Sequence, residues 1–312
     1  MPFFSIITVS LNAEATFKAT AASLLGQEFE DWEWIIMDGG STDGTLDIIR
    51  EVAPGEARLS LTSEPDQGIY DAMNKGVQRA RGAFVYFLNT DDGLADPGVL
   101  KHVEETLAAH PGVDFLYGDI CEIDAEGRRG IQSSPPPGQV LDEFVCGCLP
   151  HQSCFLRRSL FAASSIGPFR EDYRISADYL WMMTAVSAGS VQLHYLPRLI
   201  ANYSVGGISS QLEKSLPESF RALNENAVFL EAIGERRIRE IYQQNILTLR
   251  VELNKIRAEL ARERGKKELI KAKLATALSQ QNELKNALKM RPGGGFAGRV
   301  WHRIARWAKP RA

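Results

Sequence analysis

The sequence predicts an α/β protein with a mostly parallel sheet covered by helices on both faces, followed by a long C-terminal helical extension. Over residues 1–120, five apolar segments suited to buried strands alternate with segments of helical spacing, which is typical of parallel βαβ units. From residue 238 a proline-free stretch follows an apolar heptad pattern instead. We therefore expect an α/β domain over 1–210, a helical region over 211–290 and a tail over 291–312.

The elements of the first domain follow from their apolar patterns in chain order. Aromatic and β-branched side chains favour strands, while apolar residues at every third or fourth position indicate helices. Strands are predicted at 4–12, 32–38, 58–64, 83–88 and 113–120. Helices are predicted between them at 13–26, 45–52, 69–81 and 97–109. Later, a hairpin is predicted at 121–130, an extended-to-helical segment at 151–161, a helix at 176–189 and a strand at 191–197.

Composition is that of an ordinary globular protein, but the charge is unevenly distributed. The 312 residues are 44% hydrophobic and 24% charged, with a formal net charge of -3. Residues 291–312 hold six Lys or Arg and no acid, so the other 290 residues carry -9, the difference between -3 and +6. An acidic body with a basic tail argues against general nucleic-acid binding and suggests that the tail has its own partner.

Neither a membrane span nor a secretory signal is predicted. No segment reaches the roughly 18–20 apolar residues that cross a bilayer, and the N-terminus lacks a basic region and a cleavage site. We expect a cytoplasmic protein whose four cysteines are reduced thiols. Cys146, Cys148, His151 and Cys154 could instead hold zinc, although Cys-x-Cys is an unusual half of such a site.

The region 211–290 is predicted to be helical and to form a coiled coil. One heptad frame places ten apolar residues among thirteen core positions, which are Ile246, Leu249, Leu253, Ile256, Leu260, Glu263, Lys267, Ile270, Leu274, Ala277, Gln281, Leu284 and Leu288. This spacing predicts a homo-oligomer formed through the coiled coil. The alternative is a pair of amphipathic helices, broken near Gly265, that fold back on the first domain.

The tail after the glycine-rich break at 291–295 has the pattern of an interfacial helix. Phe296, Val300, Ile304 and Trp307 share one helical stripe, and arginines surround it. This pattern predicts binding to an anionic membrane surface. The alternative is a basic helix that docks on the acidic body or on a protein partner.

Carboxylates stand where two of the predicted strands end. Asp38 ends the second strand, and Asp91 and Asp92 follow the strand at 83–88. In parallel sheets, ligands bind outside the carboxyl ends of the strands. Carboxylates without neighbouring histidine or cysteine clusters suit a hard cation such as Mg²⁺ or Mn²⁺. The alternative is an ordinary helix cap in a solvated loop, where Asp is also frequent.

Five segments in this order resemble family 2 glycosyltransferases with the GT-A fold, in particular bacterial members that assemble surface polysaccharides. The segments are "FSIITVSLN", "IIMDGGSTDGT", "EPDQGIYDAMNKGVQRARGAFVYFLNTDD", "PHQSCFLRRSLF" and "RISADYLW". The resemblance covers roughly residues 3–208 and does not extend to the helical region or the tail. It implies a Rossmann-like GT-A domain that binds a nucleotide sugar.

The resemblance also implies roles for individual residues. Asp92 would be the direct ligand of Mg²⁺ or Mn²⁺ in a DXD-like motif with Asp91, and Asp178 would be the catalytic base. His151 and Gln152 would lie on the acceptor or substrate side. The nucleotide sugar would be bound by Val9, Asn12, Asp38, Asp66, Gly68, Asn74 and Asp91.

Two departures from the family pattern leave parts of this assignment open. The metal motif is "NTDD" rather than a spaced Asp-x-Asp, and Val9 and Leu11 stand where relatives often have polar or aromatic residues. Base selectivity is therefore open. Without the motif, Asp178 would be an ordinary acid at a helix N-terminus.

The implied reaction is an inverting, metal-dependent transfer from a UDP-sugar to a hydroxyl group of a saccharide or lipid-linked saccharide. We expect the enzyme to act peripherally on the inner face of a bacterial plasma membrane. One alternative is a sugar nucleotidyltransferase, although the glycine-rich, lysine-bearing loop expected for a triphosphate is missing. The other is a catalytically silent coiled-coil scaffold at the membrane.

Overall fold

A computed structural model describes residues 1–52, 54–207, 211–262 and 273–279. The strands are β1 Phe4–Ser10, β2 Trp32–Asp38, β3 Leu59–Ser63, β4 Phe84–Phe87, β5 Gly93–Leu94, β6 Phe115–Ile123, β7 Arg129–Gln132, β8 Cys154–Arg157 and β9 Leu193–Ser204. The helices are α1 Phe17–Leu25, α2 Thr45–Val52, α3 Ile69–Arg79, α4 Val99–Ala109, α5 Val140–Glu143, α6 Ala177–Ser187, α7 Leu212–Glu225, α8 Ala227–Ile233 and α9 Glu235–Arg262. Short 3₁₀ turns lie at Pro137–Gln139, His151–Ser153 and Arg158–Ala162.

The strands form one mixed sheet in the order β3-β2-β1-β4-β8-β6-β9-β5, with β7 paired to β6. Strands β3, β2, β1 and β4 are parallel, as the βαβ pattern predicts. In the second half, β8 runs antiparallel to both β4 and β6, and β5 runs antiparallel to β9. Strands β6 and β9 are parallel to each other and run in the same direction as β4. Six of the nine described strands therefore share one direction, and the prediction of a mostly parallel sheet holds with β5, β7 and β8 as antiparallel members.

Helices cover both faces of the sheet because the central strands are apolar on both sides. On one face, Ile6, Trp34 and Tyr86 belong to a core cluster that includes residues of α1, α2 and α4. On the other face, Ile7 and Ile35 belong to a cluster with residues of α3, α6 and α8. Burial on two faces explains why these strands are continuous apolar runs rather than alternating ones.

The region after residue 210 joins this core at its beginning. Ala222 of α7, Phe229 of α8, and Ile238 and Tyr242 of α9 are buried in the same cluster as α6. Arg237 at the start of α9 also forms an ion pair with Asp142 of α5. Helices α7, α8 and the first turns of α9 therefore pack against α6, whereas the alternative of two helices broken near Gly265 stays untested because Gly265 lies outside the described residues.

The coiled coil itself stays a prediction. Helix α9 confirms a helical extension to Arg262, and the predicted core position Leu253 is buried. The core positions at 263, 267 and 270, those from 281 onward and the tail at 291–312 lie outside the described residues. Among the described helices, none is both long and apolar enough to cross a membrane.

Candidate active site

The candidate site lies at the carboxyl ends of β3, β2, β1 and β4, which are neighbours in the sheet. These strands end at Ser63, Asp38, Ser10 and Phe87. Because the strands are parallel, the loops that follow them leave the same edge of the sheet. The sequence-predicted residues near 9–12, 38, 66–68 and 91–92 belong to these strand ends and loops.

Asp38 is buried, and both oxygens of its carboxylate accept hydrogen bonds from other groups of the protein. Oδ1 accepts from Ser10 Oγ at 3.0 Å, and Oδ2 accepts from Ser63 Oγ at 2.7 Å. Ser41 donates through both N–H and hydroxyl, and Gly40 donates through its N–H. Burial alone would raise the pKa of Asp38, but these hydrogen bonds together lower it. Asp38 therefore anchors the 39–41 loop to three strand ends, and its contact with a nucleobase stays a prediction.

The carboxylate of Asp66 accepts fewer hydrogen bonds than that of Asp38. Its Oδ1 accepts from Gly68 N at 2.9 Å, and its Oδ2 lies where a Cβ at Gly39 would stand. The absence of a side chain at Gly39 therefore admits the Asp66 carboxylate. Leu11 Cδ1 would lie 3.6 Å from the same Cβ position, and the Leu11 side chain is 60% exposed. Asp66 and Leu11 thus form an open corner with a carboxylate beside an apolar side chain.

The end of β1 is held in a shape that suits the approach of a ligand. Asn12 has a φ of 52°, which few residues other than glycine adopt. Its Oδ1 accepts from Thr42 N at 2.9 Å, and its own N–H donates to Ser41 Oγ at 2.8 Å. Val9 is buried in the core beneath. Gly68 has a φ of 132°, and this left-handed conformation explains the glycine at the start of α3.

Asp91 and Asp92 differ sharply in their surroundings. Asp91 is exposed, whereas Asp92 is 4% exposed and its Oδ1 has no hydrogen-bond partner. Burial and the charge of Asp91 raise the pKa of Asp92 to about 7, although hydrogen bonds from Ser204 and Gln152 oppose this. Thr20 Oγ1 fixes the turn by donating to the Asp92 carbonyl at 2.7 Å.

The residues present fit a hard divalent cation. Asp92 Oδ1 is a buried oxygen without a donor, and Asn89 Oδ1, on the same turn, is another. A cation would satisfy such an oxygen and favour the ionised form of Asp92. Within the described ranges, no three His, Cys, Asp or Glu side chains form a ready-made metal cage. A site with so few carboxylates suits Mg²⁺ or Mn²⁺, which are often bound by one or two carboxylates together with substrate phosphates.

Asp178 lies in the first turn of α6 with donors on both carboxylate oxygens. Oδ1 accepts from Tyr179 N at 2.9 Å, and the Tyr70 hydroxyl lies 2.8 Å away. Oδ2 accepts from His151 Nδ1 at 3.1 Å. Burial raises the pKa of Asp178, but the hydrogen bond and charge of His151 and the hydrogen bond from Tyr70 outweigh it, so this pKa is lowered. Asp178 is therefore an ionised, half-buried carboxylate.

His151 joins the two acidic sites. Its Nδ1 faces Asp178, and its Nε2 lies 3.0 Å from Asn89 Nδ2, three residues before Asp92. Burial lowers the pKa of His151, while Asp178, Asp92 and Asp91 raise it, and the net shift is upward. In either protonation state Nδ1 carries the proton that Asp178 accepts. His151 was expected on the substrate side, and the structure brings it into contact with Asp178.

Gln152 and Asn74 are both buried. Gln152 contributes a side-chain hydrogen bond to Asp92. Asn74 Oδ1 accepts from Phe169 N at 2.9 Å, and its Nδ2 donates to Phe169 O at 2.9 Å. Asn74 thus holds the segment that leads towards Asp178, and its predicted contact with the nucleotide sugar stays a prediction.

Sequence reasoning missed two members of this network, Tyr70 and Asn89. Burial and the neighbouring Asp178 raise the pKa of Tyr70 well above its usual value, so its hydroxyl remains a donor. The motifs "GIYDA" and "LNTDD" contain both residues. Their place inside the segment that carries the family resemblance, next to the predicted acidic residues, was the signal that could have identified them.

The cysteines do not support the zinc alternative. All four are free thiols, and Cys121 and Cys154 are buried. Cys148 Sγ donates to Leu149 O at 2.8 Å, and Cys154 Sγ to Pro150 O at 3.2 Å. Burial raises the pKa of both Cys148 and Cys154. That the four cysteines are reduced thiols stays a prediction.

Comparisons with known proteins place the chain in a family. The family described as "Glycosyl transferase family 2" matches residues 5–161. A PGL/p-HBAD biosynthesis glycosyltransferase of Mycobacterium tuberculosis is 36% identical over 228 residues, covering 70% of this chain and 86% of the relative. A segment of an O-antigen biosynthesis protein of Myxococcus xanthus is 37% identical over 138 residues, covering 43% of this chain and 11% of that protein.

Solved structures show the same fold at lower identity. S. aureus TarS 1–349 in complex with UDP-GlcNAc has a TM-score of 0.65 at 20% identity, covering 99% of this chain and 90% of that one. A mannosyltransferase from Pyrobaculum calidifontis in complex with GDP-Man and Mn²⁺ has a TM-score of 0.56 at 15% identity, covering 98% and 85%. These likenesses show the GT-A-like fold, and the family match with the 36% identical relative defines a glycosyltransferase. The chain belongs to glycosyl transferase family 2.

Proposed function

We propose that the chain is an inverting glycosyltransferase that moves a sugar from a nucleotide-sugar donor, with Mg²⁺ or Mn²⁺, to a hydroxyl group of a saccharide or lipid-linked saccharide. The observation that carries the proposal is the pair of carboxylates, Asp92 and Asp178, in opposite electrostatic states. Asp92 has an unpaired oxygen and a raised pKa, which suits a cation ligand. Asp178 has a lowered pKa, which suits a base that must be ionised.

On the donor side, Asp92, with Asp91, would hold the cation. When bound, the cation stabilises the negative charge that develops on the leaving diphosphate. The Asp66 carboxylate and the exposed Leu11 side chain would contact the nucleobase, since one can accept a hydrogen bond and the other offers apolar surface. Gly68 and Asn12 would let the backbone approach the nucleoside closely.

On the acceptor side, Asp178 would take the proton of the attacking hydroxyl group. Each carboxylate oxygen has about two acceptor positions. Two donors lie at Oδ1, whereas His151 alone lies at Oδ2, so Oδ2 has the open position for the incoming hydroxyl. A single displacement from the face opposite the diphosphate would invert the anomeric centre.

The relatives support particular choices of substrate. TarS binds UDP-GlcNAc in a solved structure, which supports a UDP-sugar donor for this chain. The mycobacterial relative is named for PGL/p-HBAD biosynthesis and the myxobacterial one for O-antigen biosynthesis. Both names support a surface glycoconjugate as the acceptor, assembled at the inner face of the bacterial plasma membrane. The basic tail would bind anionic lipid there, and the helical region would form a homo-oligomer.

A panel of nucleotide sugars tests the proposal directly. The protein is incubated with UDP-glucose, UDP-galactose, UDP-GlcNAc or GDP-mannose and Mn²⁺, and release of nucleoside diphosphate is measured. We expect release with one donor class, and Asp178→Asn should lower turnover by about 10²–10⁴ while leaving UDP affinity nearly unchanged. Pyrophosphate release from a nucleoside triphosphate and sugar phosphate would indicate a nucleotidyltransferase instead. A protein that binds no nucleotide would fit the silent scaffold.

A further inference from the structure

The backbone immediately before the proposed base is held by a residue from another helix. Glu218 of α7 accepts three consecutive main-chain hydrogen bonds. Arg174 N donates to Oε1 at 2.8 Å, and Ile175 N and Ser176 N donate to Oε2 at 2.7 and 3.0 Å. Asp178 follows only two residues later, in the first turn of α6.

These donors lie at the N-terminal end of α6, where backbone N–H groups lack partners within the helix. Ser176 is the N-cap, and its side chain makes no capping hydrogen bond. Its hydroxyl lies 3.2 Å from Ser219 Oγ instead. Glu218 accepts from the N–H of Ser176 and of the two residues before it, and its negative charge also suits the positive end of the helix dipole.

The same segment contacts the donor side through its other groups. Ile175 O lies 2.5 Å from the Tyr70 hydroxyl, which also lies beside Asp178 Oδ1. The Arg174 guanidinium donates to Gln67 O at 2.9 Å, next to Gly68. Residues 174–176 are thus held between α7 on one side and the beginning of α3 on the other.

We propose that Glu218 is a positioning residue for the base: it holds residues 174–176 so that the Asp178 carboxylate keeps its place between Tyr70 and His151. This inference rests on the proposed base role of Asp178. Glu218 touches neither donor nor acceptor and acts through the backbone. It lies outside residues 5–161, to which the family match extends, and no motif in the sequence distinguishes it from the other acids of α7.

The variant Glu218→Gln keeps the side-chain shape but replaces one acceptor oxygen by an NH₂ group, which must face a backbone N–H. Amide hydrogen exchange of the peptide containing residues 174–178 should then become faster in the full-length protein. Nucleoside diphosphate release from the panel donors should show kcat lowered by roughly 10- to 100-fold, as small misplacements of a reacting group do. The UDP dissociation constant should stay within roughly twofold, because the hydrogen bonds of Glu218 go to residues 174–176 and not to the residues proposed to bind the donor.

Glu213→Gln is the matched control, since Glu213 is an exposed acid in the first turn of the same helix. It should leave both exchange and kcat unchanged. Glu218→Asp keeps the charge on a shorter side chain and should fall between wild type and Glu218→Gln, which provides a second variant if Glu218→Gln does not fold.

Two results separate the inference from the function on which it rests. Unchanged kcat or unchanged exchange in Glu218→Gln, with turnover lost in Asp178→Asn, overturns the positioning role alone. Wild-type turnover in Asp178→Asn overturns the base assignment itself, and the positioning role of Glu218 is overturned with it.

Discussion

At the scale of single residues, the site uses carboxylates that their surroundings have made different. Asp38 is saturated with hydrogen bonds from its own loop and strand ends. Asp178 has donors on both oxygens and a lowered pKa, whereas Asp92 has an unpaired oxygen and a raised pKa. One residue type can thus anchor a loop, accept a proton or bind a cation, depending on the donors supplied by its neighbours.

Burial of Asp92 predicts a conflict between stability and function. In metal-free protein, a pKa of about 7 against the ordinary 3.8 means that ionising this group costs folding free energy, roughly 4 kcal/mol when fully ionised. Because the pKa of Asp92 is higher in the folded than in the unfolded protein, the loss of folding stability is absent below pH 3.8. It grows as the pH rises and is complete above about pH 7. With EDTA present, Asp92→Asn should therefore be more stable than wild type at pH 8 and nearly equal to it near pH 4.

Chemical denaturation at the two pH values measures this difference. Adding Mn²⁺ and UDP should stabilise the wild type and leave Asp92→Asn unaffected, because the variant has lost the ligand oxygen. An Asp92→Asn variant that is no more stable than wild type at pH 8 would contradict the penalty. Asp31→Asn is the matched control, since Asp31 is an exposed Asp outside the candidate site.

The contact between His151 and Asp178 predicts which substitutions the site tolerates. An Asn side chain at position 151 can place an N–H donor where Nδ1 stands, and Ala cannot. Loss of that donor should raise the pKa of Asp178, because the hydrogen bond from His151 helps to lower it. In His151→Ala the acidic limb of the kcat–pH profile should move to higher pH, and in His151→Asn it should move back towards wild type.

The measurement is kcat against pH with the donor that the panel identifies. Identical profiles for wild type and His151→Ala would exclude an effect of His151 on the base. UDP affinity serves as the internal control, because it should change little in either variant.

At the scale of elements, α3 must approach the sheet closely to bring Tyr70 and Gly68 to the strand ends. A Cβ at Gly76 would stand 2.6 Å from Ile7 Cγ2 of β1 and 3.5 Å from Met37 Cγ of β2. Glycine in the middle of a helix normally lowers stability, so at this position its benefit is the close contact between helix and sheet.

Gly76→Ala should therefore destabilise the protein even though Ala favours helices. Overpacking costs about 1–3 kcal/mol, and the gain in helix propensity offsets only up to about 1 kcal/mol. Urea denaturation should show a lower free energy of unfolding than wild type. Gly112→Ala, at a position with no atom within 4 Å of the added Cβ, should be close to neutral. A Gly76→Ala variant as stable as wild type would show that the helix can shift without cost.

The elements also show what the sequence could and could not predict. The predicted bounds of β2 and α2 agree with the structure to the residue, because both have strong local patterns. The predicted extended part of 151–161 contains β8, but neither its antiparallel place beside β4 nor the two-residue β5 was predicted, because both pairings depend on segments far away in the chain. Local pattern identifies parallel βαβ units, whereas insertion of an antiparallel strand has no local signal.

The same limit applies to the site. The acids at parallel strand ends could be brought together by reasoning alone, because topology fixes where those ends meet. The partners of Asp178 could not, since Tyr70 and His151 come from separate elements whose packing decides their contacts. The same holds for Glu218, which binds the backbone just before Asp178. Asp38 illustrates a further limit: the sequence shows a carboxylate but not the five hydrogen bonds that occupy it.

At the scale of the whole molecule, the charge is divided between an acidic body and a basic tail. Residues 1–290 carry -9 and the tail +6, so two surfaces could attract the tail, an anionic bilayer or the protein itself. An apolar stripe with surrounding arginines favours the bilayer, because acyl chains can bury the stripe while guanidinium groups bind headgroups. A surface site on the acidic body would pair with the basic side chains of the tail but would bury less of its apolar stripe than acyl chains do.

Deletion of residues 296–312 should release the protein from phosphatidylglycerol vesicles without lowering turnover on a soluble acceptor. Trp307→Ser in the full chain should weaken binding at all salt concentrations, whereas Arg306→Gln should weaken it mainly at low salt, because screening removes surface electrostatics. Sedimentation with vesicles, compared with phosphatidylcholine, measures both effects. Two results together would instead indicate docking on the acidic body. The full-length protein would not bind anionic vesicles, and a 296–312 peptide would bind the truncated protein in a salt-sensitive way.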